Sequence, residues 1–257
     1  MKKNRSITDI SKELNLSIAT ISYVINGKGI EKRISPKVIK RIEDYILETG
    51  YRPNKLGQNL RSGKTFSIGM IIENITDPFF SRIVSEIETL LLKKNYILTA
   101  YSCKNDLKIT QKIINHNLDY KVDGLIIAPS ESSLELYKKY QKNAIPTVYF
   151  DRNFDEIESC NVLTNNYDGI IEACNHLIQQ SYKEIAFVQI DSNQNQIISR
   201  SEAYIDFAKK NNLNTYFLKI PFEYQNQFKD FDELLIDFLK KYPKIDSIIF
   251  GNNFLTL

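Results

Sequence analysis

The chain has 257 residues, of which 42% are hydrophobic and 25% charged, a composition typical of a globular protein. It contains no apolar run of the roughly 18–20 residues that a membrane-spanning helix requires. Its basic start, "MKKNRSITDIS", lacks the apolar stretch of a secretory signal, so we expect a cytoplasmic protein. The net charge of +3 is unevenly divided: residues 1–64 carry 14 Lys and Arg against 6 Asp and Glu, and residues 65–257 carry 20 against 25. This basic first quarter indicates either a polyanion-binding segment or a solubilising head.

The stretch "TDISKELNLSIATISYVINGKG" predicts two short helices joined by a tight turn. Thr8 is the predicted N-cap of the first helix, in which Ile10 and Leu14 stand one turn apart. The connector is the three residues "NLS", in which Asn15 can adopt the left-handed conformation and Ser17 caps the second helix.

The second helix is apolar on one side only. Its inner stripe consists of Ile21, Val24 and Ile25, and its other side carries Ile18, Ala19, Ser22 and Tyr23 before Asn26-Gly27 ends it. A third helix opens with Ser35 and Pro36 and stops at Gly50. Small and medium side chains on an outer face let a helix approach the major groove of DNA, whereas a generic three-helix bundle would carry more Glu and Lys there.

"ITDISKELNLSIATISYVING" and "ISPKVIKRIEDYILETGYRPNKLGQNLRSGKTFSIGMII" resemble the headpiece and hinge of the lactose-repressor (LacI/GalR) family of transcriptional regulators. The resemblance divides the chain into a helix-turn-helix headpiece (1–50), a hinge (51–64) and an effector-binding and dimerisation domain (65–257). It also implies a set of DNA-contacting residues. These are Thr8, Ser17, Ile18, Ala19, Thr20, Ser22, Tyr23, Asn26, Tyr51, Asn54 and Leu60.

Within this set, the resemblance places Ile18, Ala19 and Tyr23 against bases, and Thr20, Ser22, Asn26 and Tyr51 against phosphate and backbone. Many family members have an arginine at the position of Tyr23, so we expect a different operator base there. The segment "GKGIEKRIS" after the second helix is long and basic. Its Lys28, Lys32 and Arg33 either add phosphate contacts or form a solvated loop.

The hinge, "RPNKLGQNLRSGKTF", contains Leu56 and Leu60 one helical turn apart, with Gly57 between them. Glycine weakens a helix by ~1 kcal/mol relative to alanine, and a two-turn helix is marginal alone. We expect this segment to become helical only on DNA. The resemblance implies that Leu60 wedges a central base step of the minor groove, and the alternative is a flexible linker with incidental leucines.

From Phe66 onward, apolar strands alternate with amphipathic helices, a pattern that predicts parallel sheets covered on both faces. The predicted strands are "FSIGMII", "YILTAYS", "VDGLIIAPS", "IPTVYFD", "EIAFVQI", "TYFLKI" and "DSIIFGNN". The predicted helices between them span about 77–94, 106–119, 131–142, 167–180, 198–211 and 229–241. The order resembles the periplasmic-binding-protein-like body of the same family, in which two parallel-sheet subdomains enclose a small molecule.

The resemblance implies a cleft lined by Asp77, Phe79, Asp151, Arg200 and Asn252. Asp77 could instead be only a helix cap before Pro78, and Arg200 could be a surface residue at a helix start. The chain ends at "GNNFLTL", where family bodies continue with further strand–helix units. We therefore expect the second subdomain to be incomplete, as in a truncated reading frame or a fragment.

The predicted function is a DNA-binding transcriptional regulator, a repressor of sugar-utilisation genes. It would bind a pseudo-palindromic operator as a homodimer, associate with the nucleoid and respond to a sugar-like effector. The alternatives are an effector-unresponsive DNA-binding remnant and a cytoplasmic sugar-binding protein. No catalytic residue, metal or cofactor is predicted: Cys103, Cys160 and Cys174 lie far apart, His116 and His176 lack ligand spacing, and catalytic motifs are missing from the sequence.

Overall fold

A computed structural model of the protein describes residues 5–51, 63–141, 145–154, 156–221 and 228–255. The chain divides into two compact units, residues 1–65 and 66–257. The predicted hinge contacts Asn54 and Leu60 lie outside the described residues. No helix within the described ranges is long and apolar enough to cross a bilayer.

In its described part, the first unit consists of three helices: α1 (Ile7–Leu14), α2 (Ile18–Ile25) and α3 (Pro36–Thr49). They bury a small core at their crossing, which consists of Ile10, Leu14, Ile21, Val24 and Ile42. The predicted caps of α2 and α3 are confirmed, since each serine side chain accepts a hydrogen bond from the backbone three residues on. A core this small depends on such caps, because each is worth about 1 kcal/mol.

The predicted cap of α1 was wrong by two residues. Ser6, not Thr8, occupies the N-cap: its hydroxyl accepts from the Asp9 amide at 3.2 Å, and the Asp9 carboxylate accepts from the Ser6 amide at 2.9 Å. This reciprocal capping box needs an acid three residues after the cap, which only Ser6 has. Helix α1 ends as predicted at Asn15, which is left-handed with φ of 49°.

The first half of the second unit is a parallel sheet of five strands in the described residues, in the order β2-β1-β3-β4-β5. Its elements in chain order are β1 (Ser67–Ile72), α4 (Pro78–Leu92), β2 (Ile97–Ser102), α5 (Leu107–Asp119), β3 (Gly124–Ile127), a 3₁₀ turn (Glu131–Ser133), α6 (Leu134–Gln141), β4 (Thr147–Phe150) and β5 (Cys160–Val162). Strand β1 lies inside the sheet between β2 and β3, and its last four residues are buried, which accounts for the apolar run "GMII". The helices cover both faces, as parallel sheets require.

The second half contains α7 (Asn166–Gln179), β6 (Ile185–Ile190), α8 (Asn195–Lys210), β7 (Tyr216–Ile220), α9 (Phe228–Lys241), β8 (Ser247–Phe250) and a 3₁₀ turn (Asn253–Leu255). Over the described positions its strands form a three-stranded parallel sheet in the order β7-β6-β8. Strand β6 is central, and all six of its residues are buried. The predicted architecture of a helix-turn-helix unit followed by two parallel-sheet subdomains, the second of them smaller, is confirmed.

Two details of the body differ from the prediction. Strand β5 was not predicted, because it is only three residues long, exposed and attached to one neighbour, β4, at the sheet edge. Helix α8 begins at Asn195 rather than 198, so it has three more residues at its start. No side chain caps the first turn of this helix, so the sequence contains no capping residue that would mark Asn195 as its start.

Candidate DNA-facing surface and effector cleft

The outer face of α2 presents apolar and small polar side chains to solvent. Ile18, Ala19 and Tyr23, the predicted base-reading residues, are all exposed. Their positions fall within an arc of about 140° at 3.6 residues per turn, so one flat surface can meet all three. The opposite side of the helix is anchored in the core through Ile21 and Val24. The helix therefore has a fixed inner face and an accessible outer one.

Three of the four predicted phosphate-binding residues, Thr20, Ser22 and Asn26, already make hydrogen bonds to other residues of α2 and its caps. The Ser17 and Thr20 hydroxyls lie 2.8 Å apart, and Ser17 also caps α2. The side-chain amide of Asn26 donates to the Ser22 carbonyl oxygen at 2.7 Å and to the Ser22 hydroxyl at 3.3 Å. These bonds orient short polar groups along the exposed side of the helix, where hydroxyls and amides can also bind phosphate oxygens.

Two other predicted contacts lie away from α2. Thr8 is exposed on the first turn of α1. Tyr51 is half-buried after α3, packs against the core of the first unit, and has its pKa raised by that burial. Packing fixes the tyrosine ring, and the direction of the pKa shift keeps the hydroxyl neutral as a hydrogen-bond donor.

In the second unit, a cleft lies where the carboxyl ends of strands from both sheets meet. Glu73 follows β1, Asp151 and Arg152 follow β4, Ser192 follows β6 and Asn252 follows β8. Ligands of open parallel sheets bind at this edge, because the crossovers diverge there. All five predicted cleft residues line it: Asp77, Phe79, Asp151, Arg200 and Asn252.

Arg152 is the centre of a buried ion network on the first-sheet side of the cleft. Its Nη2 donates to the Glu73 carboxylate at 2.7 Å and its Nε to the Asp151 carboxylate at 3.2 Å. The guanidinium carbon also lies 6.0 Å from the centre of the Phe80 ring. Its Nη1 has no hydrogen-bond partner among the described residues. A buried donor without a partner costs about 1–3 kcal/mol, which a ligand oxygen would recover.

Asp151 lies between two arginines. Burial raises the pKa of its carboxyl, and the positive charges of Arg152 and Arg200 oppose that rise. Its backbone is left-handed, with φ of 64°, which turns the chain at the end of β4. The sheet edge thus holds a carboxylate in a site where charge is costly.

Arg200 enters the cleft from the second turn of α8, and not from the helix start as the sequence indicated. Its Nε donates to Asn166 Oδ1 at 2.8 Å and its Nη1 to the Gly251 carbonyl oxygen at 2.6 Å. Burial lowers the pKa of Arg200, and the Asp151 charge opposes this. Bonds to α7 and to the end of β8 hold the guanidinium in one orientation.

Asp77 is both a helix cap and a cleft residue, the two alternatives that the sequence left open. Its carboxylate accepts from the Phe79 amide at 2.8 Å, so it caps α4, and it also lines the cleft. Asn252 likewise has a structural bond, since its Oδ1 accepts from the Ile190 amide at 3.3 Å. Whether these residues bind an effector stays a prediction.

Sequence reasoning missed Glu73, Arg152 and Gln196 as cleft residues. Gln196 is buried at the start of α8, and its Oε1 has no partner in the described part of the chain. Glu73 and Arg152 follow predicted strands, so the rule that ligands meet strand carboxyl ends could have found both. The described residues contain no group of three or more His, Cys, Asp or Glu that could hold a metal ion.

Comparison with known proteins finds a matching family model for each of the two units. Residues 65–256 match the family model described as periplasmic binding proteins and sugar binding domain of the LacI family, and residues 6–54 match bacterial regulatory proteins of the lacI family. The chain belongs to the LacI family. The predicted resemblance is therefore confirmed.

Among LacI-family relatives, the probable regulator EndR of Paenibacillus polymyxa is 27% identical over 77% of this chain and 57% of its own length. Catabolite control protein A of Priestia megaterium is 31% identical over 72% of this chain and 55% of its own length. The chain thus spans a little over half the length of these relatives. A lac repressor dimer solved on operator has a TM-score of 0.79 at 16% identity, over 98% of this chain and 75% of the repressor chain. This last similarity supports the fold.

Proposed function

We propose that the protein is a sequence-specific DNA-binding transcriptional repressor of sugar-utilisation genes, acting in the cytoplasm at the nucleoid. One observation carries the proposal: α2 holds Ile18, Ala19 and Tyr23 on an exposed face while its other face is fixed in the core. This is the arrangement that lets a helix enter the major groove. The relatives named as transcriptional regulators and the lac repressor dimer solved on operator support a homodimer that binds a pseudo-palindromic operator.

The effector we infer is an uncharged, polyhydroxylated molecule. The cleft holds two arginines, Arg152 and Arg200, against the three carboxyl groups of Glu73, Asp77 and Asp151, so it offers hydrogen bonds rather than an excess positive charge. The unpartnered Arg152 Nη1 can donate to a ligand hydroxyl, and the unpartnered Gln196 Oε1 can accept from one. The structurally similar regulator Cra from Pseudomonas putida was solved with fructose 1-phosphate, which supports the polyhydroxylated part of the inference and not the absence of charge. Binding would shift the orientation of the two subdomains and thereby the ability of two hinges to dock together.

The DNA-binding proposal is tested by selection from a randomised duplex pool. The wild-type chain should enrich a pseudo-palindromic sequence, and its affinity should fall steeply with added salt because bound counterions are released. Ala19→Glu places a carboxylate on the outer face of α2 and should abolish enrichment. The control is Leu47→Glu, which adds the same charge at an exposed position of α3. Equal effects of the two variants would contradict the assignment of the surface, and no enrichment by the wild type would refute the function.

The effector proposal is tested by calorimetric titration with neutral sugars and with sugar phosphates. A neutral sugar should bind, and Gln196→Leu should weaken it by about 1–3 kcal/mol because the ligand hydroxyl loses its acceptor. Gln179→Leu is the control, since Gln179 is exposed at the end of α7. Binding of sugar phosphates alone would contradict the inferred neutrality of the ligand.

A further inference from the structure

The segment between α2 and α3 is an ordered structure, not an open loop. Helix α2 ends in a Schellman motif: Gly27 is left-handed with φ of 70°, the Lys28 amide donates to the Tyr23 carbonyl oxygen at 2.8 Å, and the Gly27 amide donates to that of Val24 at 3.0 Å. This pair of bonds satisfies carbonyl groups that the helix end would otherwise leave unpaired.

A second motif of the same kind follows at once. Arg33 is left-handed with φ of 55°, its amide donates to the Ile30 carbonyl oxygen at 2.9 Å, and the Ile34 amide donates to that of Gly29 at 3.0 Å. Between the two motifs, the Lys32 amide donates to the Lys28 carbonyl oxygen at 3.0 Å, which completes one helical turn.

Gly29 anchors this turn to the core of the first unit. It is buried, and a Cβ at this position would lie 2.9 Å from Ile39 Cδ1 and 3.4 Å from Val24 Cγ2. Because the backbone approaches α2 and α3 this closely, the backbone of the turn has a defined position relative to α2.

The turn brings Lys32 to the recognition surface. Its Nζ lies 5.6 Å from the centre of the Tyr23 ring, within the range of a cation–π interaction, and 3.4 Å from the Glu31 carboxylate. Tyr23 is exposed, so its ring is not held by packing in the core. A cation over one face of the ring favours one rotamer and places a positive charge beside it.

We propose that Lys32 is a positioning and specificity-determining residue of the DNA-reading surface, an inference that rests on the proposed function. Lys32 holds the Tyr23 ring against one base pair and directs its own ammonium to the neighbouring pair. An ammonium only donates, so it selects the base edge richest in acceptors, which in the major groove is guanine with O6 and N7.

The test is selection from a randomised duplex pool, followed by affinity measurement on single-base variants of the enriched site. Lys32→Met should reduce discrimination by roughly 2- to 30-fold, the range of a cation–π contact, at two adjacent base pairs of each half-site, and leave the other preferences in place. These are the pair that Tyr23 meets and the neighbouring pair that the ammonium meets. Lys32→Arg should restore the discrimination, because a guanidinium also stacks on tyrosine and donates to guanine. Lys28→Met is the matched control: it removes the same charge from the same turn and should weaken all sequences alike.

A double-mutant cycle separates positioning from simple charge. In a Tyr23→Leu background, Lys32→Met should have no further effect at the base pair that Tyr23 meets, whereas its effect at the neighbouring pair, which the ammonium meets, should remain. Independently of DNA, the Lys32 ε-methylene protons should show an upfield ring-current shift in the NMR spectrum that Tyr23→Leu removes. A loss with Lys32→Met that is uniform over all sequences, or an equal loss at the Tyr23 base pair in both backgrounds, overturns the inference while the proposed function stands. Enrichment of no sequence by the wild type overturns both.

Discussion

Replacing Arg152 with methionine measures how strongly the body depends on its buried ion network. The side chain of Arg152 is 10% exposed, and those of its partners Glu73 and Asp151 are 18% and 9% exposed. Methionine keeps the apolar stem but removes the charge, so two carboxylates remain near each other with less compensation. Removing one partner of a buried pair costs about 3–5 kcal/mol, and we expect the free energy of unfolding to fall by that amount.

The measurement is urea denaturation followed by far-ultraviolet circular dichroism, since the chain has no tryptophan for fluorescence. The matched control is Lys219→Met, which breaks an ion pair with Asp191 at 2.9 Å whose side chains are 57% and 59% exposed. That variant should lose less than about 1 kcal/mol, because solvent screens an exposed pair. If Arg152→Met costs no more than Lys219→Met, the argument that the network is desolvated is refuted.

Three further predictions concern single residues. Burial raises the pKa of Asp151, so the folded state holds this proton more tightly than the unfolded state, and the contribution of the group to stability falls as pH rises from the unfolded pKa through the raised folded one. Asp151→Asn should remove that descending component from a plot of unfolding free energy against pH, and an unchanged plot would contradict it. Ser6→Ala should cost about 1 kcal/mol in thermal unfolding of the first unit, and Thr8→Ala a few tenths at most; equal losses would restore Thr8 as the cap. Gly69→Ala should cost about 1–3 kcal/mol, since a Cβ would overlap the side-chain amide oxygen of the buried Asn117. Gly169→Ala, whose Cβ would meet nothing within 4 Å in α7, should instead stabilise the body by up to about 1 kcal/mol, and a loss in both variants would argue against the close approach at Gly69.

The helices of the first unit were predictable because their ends are decided locally. Ser17, Ser35 and Gly50 each act within four residues of their own position, so the sequence contains the whole interaction. Thr8 shows the limit of this reasoning. Two residues able to cap stand two positions apart, and the choice between Ser6 and Thr8 depends on the position of an acidic side chain three residues later.

The body was predictable where burial is continuous and less so at its edges. The buried inner strands contain apolar runs that are recognisable in the sequence, whereas β5 is short and exposed and has no such run. The cleft residues Asp151 and Arg200 came from the family resemblance. The bond between Glu73 and Arg152 did not, because its partners are 79 positions apart and only the order of the strands brings them together.

The ordered turn between α2 and α3 has a thermodynamic consequence. Its backbone hydrogen bonds join residues of the first unit to one another and use no group of the DNA, so residues 26–35 lose little conformational entropy when the helix meets a duplex. The heat-capacity change of that encounter then reports the apolar surface removed from water at this interface and contains no contribution from folding of the turn. The turn between α2 and α3 can therefore be as preorganised for binding as a shorter connection between two helices.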